Sequence, residues 1–303
     1  MSRKTIKLIT GSIAMFLLTL TLSACGSKPA QYDSKSDLGS QVNYTITGID
    51  AGAGIMASTQ KALKEYPNLA NNNWQLQTSS SAAMTSTLDK AIKYKQPIVV
   101  TGWQPHWMFK KFPIKFLKDP KNAYGKSEEL DTIARKGLNK DNPGAYKLLK
   151  NFKWNASMMS DVMLAVNNGE KPEKAAKDFI KKNPDQTKKW LDGVPNGNGK
   201  AIKLTYVAWD SEIASTNVVS ELLKMKGYKP TIQALEMQPM WASIATGAAD
   251  ASTAAWLPTT AGLYYKQYKD KVEIVQTSLK GARTGLAVPK YMKNINSIED
   301  LKK

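Results

Sequence analysis

The chain has 303 residues, 42% of them hydrophobic, with eight tryptophans, one cysteine and a formal net charge of +18. That apolar content excludes a disordered chain, and a single cysteine excludes an internal disulfide. The charge raises nucleic acid as a partner, but the lysines and arginines form no compact basic–aromatic cluster. They read as solvated faces, or as a surface for lipid headgroups or wall polymers; nucleic acid is not expected.

Residues 1–24 read as a signal peptide. Arg3, Lys4 and Lys7 precede an apolar run from Leu8 to about Leu22, short of the roughly 20 apolar residues a spanning helix needs and laid out like a secretory signal. The run ends in Leu22-Ser23-Ala24-Cys25, which resembles the bacterial lipobox. The resemblance implies cleavage before Cys25 and acylation of its thiol, which accounts for a lone cysteine in a secreted chain. Two or more acyl chains anchor a protein stably where one is marginal, so the expected location is the outer face of the plasma membrane. Ser27 to Ser40, rich in Ser, Lys, Gln and Asp, reads as a flexible tether, so that residues 25–42 form anchor and linker. About 260 residues remain, enough for one large or two medium domains.

The remainder repeats itself. Tyr44 to Asp50 reads as a strand, and the glycine-rich turn Ala51 to Gly54 leads into a helix with Ile55, Thr59, Ala62, Leu63 and Tyr66 on one face. A strand at Trp74–Thr78, a helix to about Tyr94 and a buried strand at Pro97–Trp103 follow, continuing as Gln104 to Phe109. The later half runs in the same order. Lys203–Val207 is a strand, Trp209 to Glu212 a turn, and the next helix carries Ile213, Val218, Leu222 and Met225. Thr231–Leu235 is a second strand, a helix starts near Gln238, and Ala254 to Thr260 closes the unit. Two β-α-β-α-β units predict an α/β protein of two lobes with largely parallel sheets: residues 43–140 as the first lobe, 141–195 as a helical segment, and 196–303 as the second lobe with its end returning to the first. Within the helical segment, spacing predicts helices over Ala145–Phe152, Ser157–Val166, Pro172–Lys182 and Pro184–Leu191, the prolines standing where a helix needs no N–H.

Such lobes hold ligands at the carboxyl ends of their strands. Trp103 and Trp256 end equivalent strands of the two repeats, and Trp209 ends the first strand of the second. Three indole faces suit a quaternary ammonium group, which has no N–H to donate and binds by cation–π contact. The turn before Gly54 and Ile55 offers free backbone N–H groups to a carboxylate. On chemistry alone these tryptophans read more readily as core or hinge packing. Trp74, Trp107, Trp154, Trp190 and Trp241 are expected to be packing residues. His106, the sole histidine, has neither a triad pattern nor a second metal ligand around it. It reads as structural or as a cleft-rim residue touching the ligand.

Five segments together, Gly48–Met56 (GIDAGAGIM), Thr78–Met84 (TSSSAAM), Thr101–Phe109 (TGWQPHWMF), Trp209–Asn217 (WDSEIASTN) and Ala254–Pro258 (AAWLP), resemble the glycine-betaine-binding lipoproteins of osmoprotectant ABC importers, over residues 44 to 303. The resemblance implies a two-lobed periplasmic-binding-protein-like fold of type II that closes on its ligand. It implies a trimethylammonium group between Trp103, Trp209 and Trp256, and a carboxylate on the amides of Gly54 and Ile55. The family carries a histidine shortly after the WLP motif where this chain has Ala261, a departure that leaves Thr259, Thr260 or a water to stand in, or moves preference toward choline or carnitine. It further implies a monomeric binding protein with no catalytic residue, cofactor or metal, whose permease and ATPase are separate chains. Two other classes are carried as alternatives: an extracellular choline-ester hydrolase, for which no nucleophile–base pair is visible, and a wall-binding lipoprotein, which rests on the charge alone.

Overall fold

The computed structural model describes residues 30–302; Cys25, its lipobox and the signal segment lie outside the described residues. The stretch expected to be a free tether is folded from Tyr32 onward. The Tyr32 N–H donates to the Lys95 carbonyl, and α1 (Leu38–Gln41) is capped by Asp37, whose carboxylate accepts from the N–H groups of Gly39 and Ser40. The Gly39 N–H in turn bonds the carbonyl of Lys302. Composition alone marks this segment as polar; the cap and the burial of Leu38 are what dock it. The flexible tether therefore does not extend to Val42.

The first lobe contains β1 (Thr45–Thr47), α2 (Gly54–Glu65), α3 (Pro67–Ala70), β2 (Gln75–Gln77), α4 (Ser81–Tyr94), β3 (Val100–Gln104), α5 (Met108–Lys111) and β4 (Ile114–Phe116). On α2, Ile55, Met56, Thr59 and Ala62 form the buried face. The Ser80 hydroxyl accepts from the Ala83 N–H to cap α4, and Lys95 in the left-handed region ends it. The strands β2, β1 and β3 are parallel.

Next come β5 (Glu128–Arg135), α6 (Leu138–Asp141), α7 (Pro143–Asn151), α8 (Ala156–Asn167), α9 (Pro172–Lys182), α10 (Pro184–Leu191), β6 (Ala201–Tyr206), α11 (Asp210–Met225), β7 (Lys229–Ala234), α12 (Met237–Ala245), β8 (Ala251–Leu257), α13 (Gly262–Tyr268) and β9 (Val272–Pro289). The parallel trio β7-β6-β8 repeats β2-β1-β3. The helices α8 and α9 pack on α11, which makes the helical segment part of the second lobe. Its aromatic centre is Phe152, Trp154, Phe179 and Trp190.

Two expectations are corrected here. The sheet is mixed rather than largely parallel, in the order β2-β1-β3-β9-β5-β8-β6-β7 with β4 also on β9. Each parallel trio is extended by antiparallel strands from the connections between lobes. And β5, expected inside the first lobe, pairs with β8 and with the first part of β9, so the second lobe begins before residue 140. The long strand β9 pairs with β5 as far as Ala282 and with β3 and β4 from Arg283. The change of partner falls beside Gly281, whose φ of 77° is open to glycine at little cost. Beyond β9 the chain lies against the first lobe, where Asn68 donates to the carbonyls of Ile298 and Leu301.

Candidate functional site

The opposed parallel trios bring three indoles to one place. Trp103 lies on β3 opposite Thr284 of β9, and Trp256 on β8 opposite Leu130 of β5. Trp209 is the extended residue that enters α11. Together with Ile49, Ala53, Ile55, Thr260 and Thr284 they line one small cavity. All three indoles are at most 7% exposed. Gln104–Pro105 and Leu257–Pro258, which directly follow Trp103 and Trp256, are both cis.

The amino ends of two helices meet this region with opposite character. Neither a side-chain cap nor an acidic residue occupies the first turn of α2, which starts at Gly54. Its free N–H groups and positive dipole end favour an anion. By contrast, α11 carries Asp210 and Glu212 in its first turn, and the ionised Asp210 carboxylate offsets the same dipole where a cation would face Trp209. Gly54 is required by a close approach: a Cβ there would lie 2.5 Å from the Thr260 Cα, across the cleft.

Behind the indoles is a polar frame that sequence reasoning missed. The Asp210 carboxylate reaches from α11 to three residues of the first lobe. Trp107 Nε1 donates to its Oδ1 at 2.8 Å and Ser81 Oγ to its Oδ2 at 2.9 Å. His106 Nε2 stands 3.2 Å from Oδ2, off the line of a good hydrogen bond. Burial alone would raise this carboxyl; the contacts of His106, Trp107 and Ser81 outweigh it and hold Asp210 at about 2. His106 is 1% exposed, and its ring meets that of Trp103 edge-on at 4.5 Å. Its Nδ1 accepts the Met108 N–H. His106 thus backs a wall of the cavity without lining it, and Trp107 is a bridge between lobes rather than simple packing.

Glu212 backs a second wall. Its Oε1 accepts from Trp256 Nε1 at 2.8 Å and its Oε2 from Ser211 Oγ at 2.6 Å. Burial pushes the Glu212 carboxyl up to about 8, against the opposing effect of these hydrogen bonds. The loop after β8 is fixed by Glu128, whose Oε1 accepts the N–H groups of Thr259 and Thr260 and whose Oε2 accepts the Thr260 hydroxyl. Those donors are therefore engaged within the protein, and of the two threonines Thr260 lines the cavity. Ala261 is buried, with its N–H on the Trp256 carbonyl. The sequence signal for Asp210 and Glu212 is a pair of acids in the first turn of a helix beside a tryptophan. Among the described residues no group of His, Cys, Asp and Glu is placed to hold a metal ion, and no helix is long and apolar enough to cross a membrane.

Residues 27–182 and 200–303 match the family model of the substrate-binding domain of ABC-type glycine betaine transport systems. The chain is 66% identical over 296 residues to the glycine betaine/carnitine transport binding protein GbuC of Listeria monocytogenes, covering 98% of each. Among solved structures, it is similar to lactococcal OpuAC in its closed-liganded conformation with glycine betaine, at 47% identity and a TM-score of 0.48 over 55% of this chain and 64% of that one. A glycine betaine/L-proline-binding protein from Borrelia burgdorferi is similar at 30% identity and a TM-score of 0.44, over 55% of this chain and 62% of that one.

Proposed function

The chain belongs to the substrate-binding domains of ABC-type glycine betaine transport systems, and from that premise we propose that it captures trimethylammonium zwitterions, glycine betaine and carnitine, between Trp103, Trp209 and Trp256. It is a transport binding protein that works outside the cytoplasm, not an enzyme. The observation that carries the reading is the convergence of three indoles from both lobes on one small cavity. A quaternary ammonium offers no N–H, so indole faces are its natural partners; each desolvated face contributes about 2 kcal/mol, roughly 6 kcal/mol for three before the cost of association.

The carboxylate end of the ligand is assigned to the uncapped start of α2, at the amides of Gly54 and Ile55. The bare first turn there supports a zwitterion over choline, which carries no anion. The binding protein GbuC of Listeria is named for both glycine betaine and carnitine, which supports the same pair here. Alanine at position 261 removes one donor that a histidine would supply, so the α2 amides carry more of the carboxylate's binding. Calorimetric titration of the mature chain from Cys25 with glycine betaine, carnitine, choline and glycine tests this. The two trimethylammonium zwitterions are expected to bind tightest, choline more weakly and glycine not measurably. Equal binding of glycine and glycine betaine would refute the site.

The protein acts as a monomer, held at the outer face of the membrane by acylated Cys25 and handing its ligand to a permease and ATPase on separate chains. Support for the anchor comes from the lipobox at Leu22–Cys25. Cys25→Ser is expected to release the protein into the medium and abolish labelling by a fatty acid; retention of both label and membrane association would exclude Cys25 as the anchor.

A further inference from the structure

Trp256 lies in a fully buried strand, and its indole N–H ends on a carboxyl that is itself 3% exposed. That carboxyl belongs to Glu212, in the first turn of α11, and its second oxygen is occupied by Ser211 Oγ. No lysine, arginine or histidine pairs with Glu212 among the described residues. A buried acid without a cation is a poor way to fill space, because an apolar side chain of similar volume packs there without desolvating a carboxyl. Its geometry does serve one purpose. Turning the Trp256 ring about its last torsion, which has two broad wells, would strand both the indole N–H and the carboxyl in an apolar interior.

We infer that Glu212 is a positioning residue for the ligand site: it locks the plane of the Trp256 indole from behind, so that this wall stands ready before the ligand arrives. The inference rests on the reading of Trp103, Trp209 and Trp256 as the trimethylammonium site. The three walls are held differently. Trp103 is braced by the His106 ring, Trp256 is fixed by Glu212, and the Trp209 Nε1 is buried without a hydrogen-bond partner. Of the three, Trp256 is thus the ring whose orientation depends on one replaceable hydrogen bond. Burial keeps the Glu212 carboxyl protonated near neutral pH; in that form the proton sits on Oε2 and the Ser211 hydroxyl, 2.6 Å away, accepts it in place of donating, which is the donor and acceptor pattern of an amide. Glutamine should therefore do the same work, and a hydrocarbon should not.

The test compares Glu212→Gln, Glu212→Leu and Glu212→Met in the mature chain, with Trp256→Leu as control. Glycine betaine affinity is measured by calorimetry, and the Trp256 ring is followed by fluorine NMR after 5-fluorotryptophan labelling. Glu212→Gln is expected to bind within threefold of the parent and to keep a single sharp Trp256 resonance. Glu212→Leu is expected to fold yet bind at least tenfold more weakly, with a shifted or broadened Trp256 resonance in the ligand-free protein. Glu212→Met serves the same comparison if the leucine variant does not fold. Parental affinity in the apolar variants would overturn the inference. So would a glutamine variant as weak as the apolar ones, since charge rather than the hydrogen bond would then be the contribution. If Trp256→Leu itself binds normally, the reading of the site fails; if only the Glu212 variants do, this inference alone fails.

Discussion

Asp210→Asn separates the closure of the lobes from contact with the ligand. Asp210 sits on α11 of the second lobe, and its three partners, Ser81, His106 and Trp107, belong to the first. An asparagine has one acceptor oxygen. If that oxygen keeps Trp107, its NH2 group faces His106 and Ser81; if it keeps those, the NH2 faces the Trp107 N–H. At least one hydrogen bond to a charged acceptor is lost, worth about 2 kcal/mol. The carboxyl's depression from its ordinary 3.8 to about 2 gives a similar figure, roughly 2 kcal/mol, by linkage. A loss of that size in the closed form alone corresponds to about thirtyfold in affinity. Calorimetry with glycine betaine should show that loss, while the tryptophans lining the cavity remain unaltered. The folded carboxyl is depressed, so its contribution is fully present above pH 3.8 and disappears as pH falls toward 2. Binding by Asp210→Asn at parental affinity would refute the role of Asp210 as a bridge that stabilises closure.

Two further outcomes follow from close approach and from burial. Gly54→Ala places a Cβ 2.5 Å from the Thr260 Cα and 2.6 Å from its carbonyl oxygen, atoms that cannot move aside like a flexible side chain. It should weaken glycine betaine binding tenfold or more without lowering the ligand-free melting temperature; unchanged affinity would mean that the lobes do not close this far on the ligand. Glu212, raised from 4.5 to about 8 by burial, keeps in the folded state a proton that the unfolded chain has released. Native stability is therefore undiminished below about pH 4.5, falls as pH rises from there to about 8, and levels off above it. Glu212→Gln removes this dependence, so its stability advantage in urea should grow from near zero below pH 4.5 to roughly 3 kcal/mol at pH 7. A gap that stays the same across this range would contradict the burial argument.

The parts of the structure that were legible in the sequence are those with local causes. The helices Pro172–Lys182 and Pro184–Leu191 begin and end where the prolines and apolar spacing indicate. The internal repeat located both parallel trios and brought out Trp103, Trp209 and Trp256 as related positions. What could not be read depends on partners far apart in the chain. No strand is indicated between Phe109 and Ala145 or after Thr260, yet β5 and β9 lie there and join the lobes. Their pairings span more than a hundred residues and include register shifts, which periodicity does not encode. Asp210 is separated from Trp107 by 103 positions and from Ser81 by 129. Glu212 and Trp256 are 44 apart. A polar side chain reveals its partner only when the fold brings the two together, so the indoles were recognisable and the frame that holds them was not.

The central claim is that three indole faces select the positive charge of the ligand, not merely its shape. Titration of the mature chain with glycine betaine and with 3,3-dimethylbutanoate, which replaces the charged nitrogen by carbon and keeps the carboxylate, tests this directly. The expected result is at least a hundredfold preference for glycine betaine, on the order of half the roughly 6 kcal/mol available from three faces. Equal or tighter binding of this carbon isostere would contradict it.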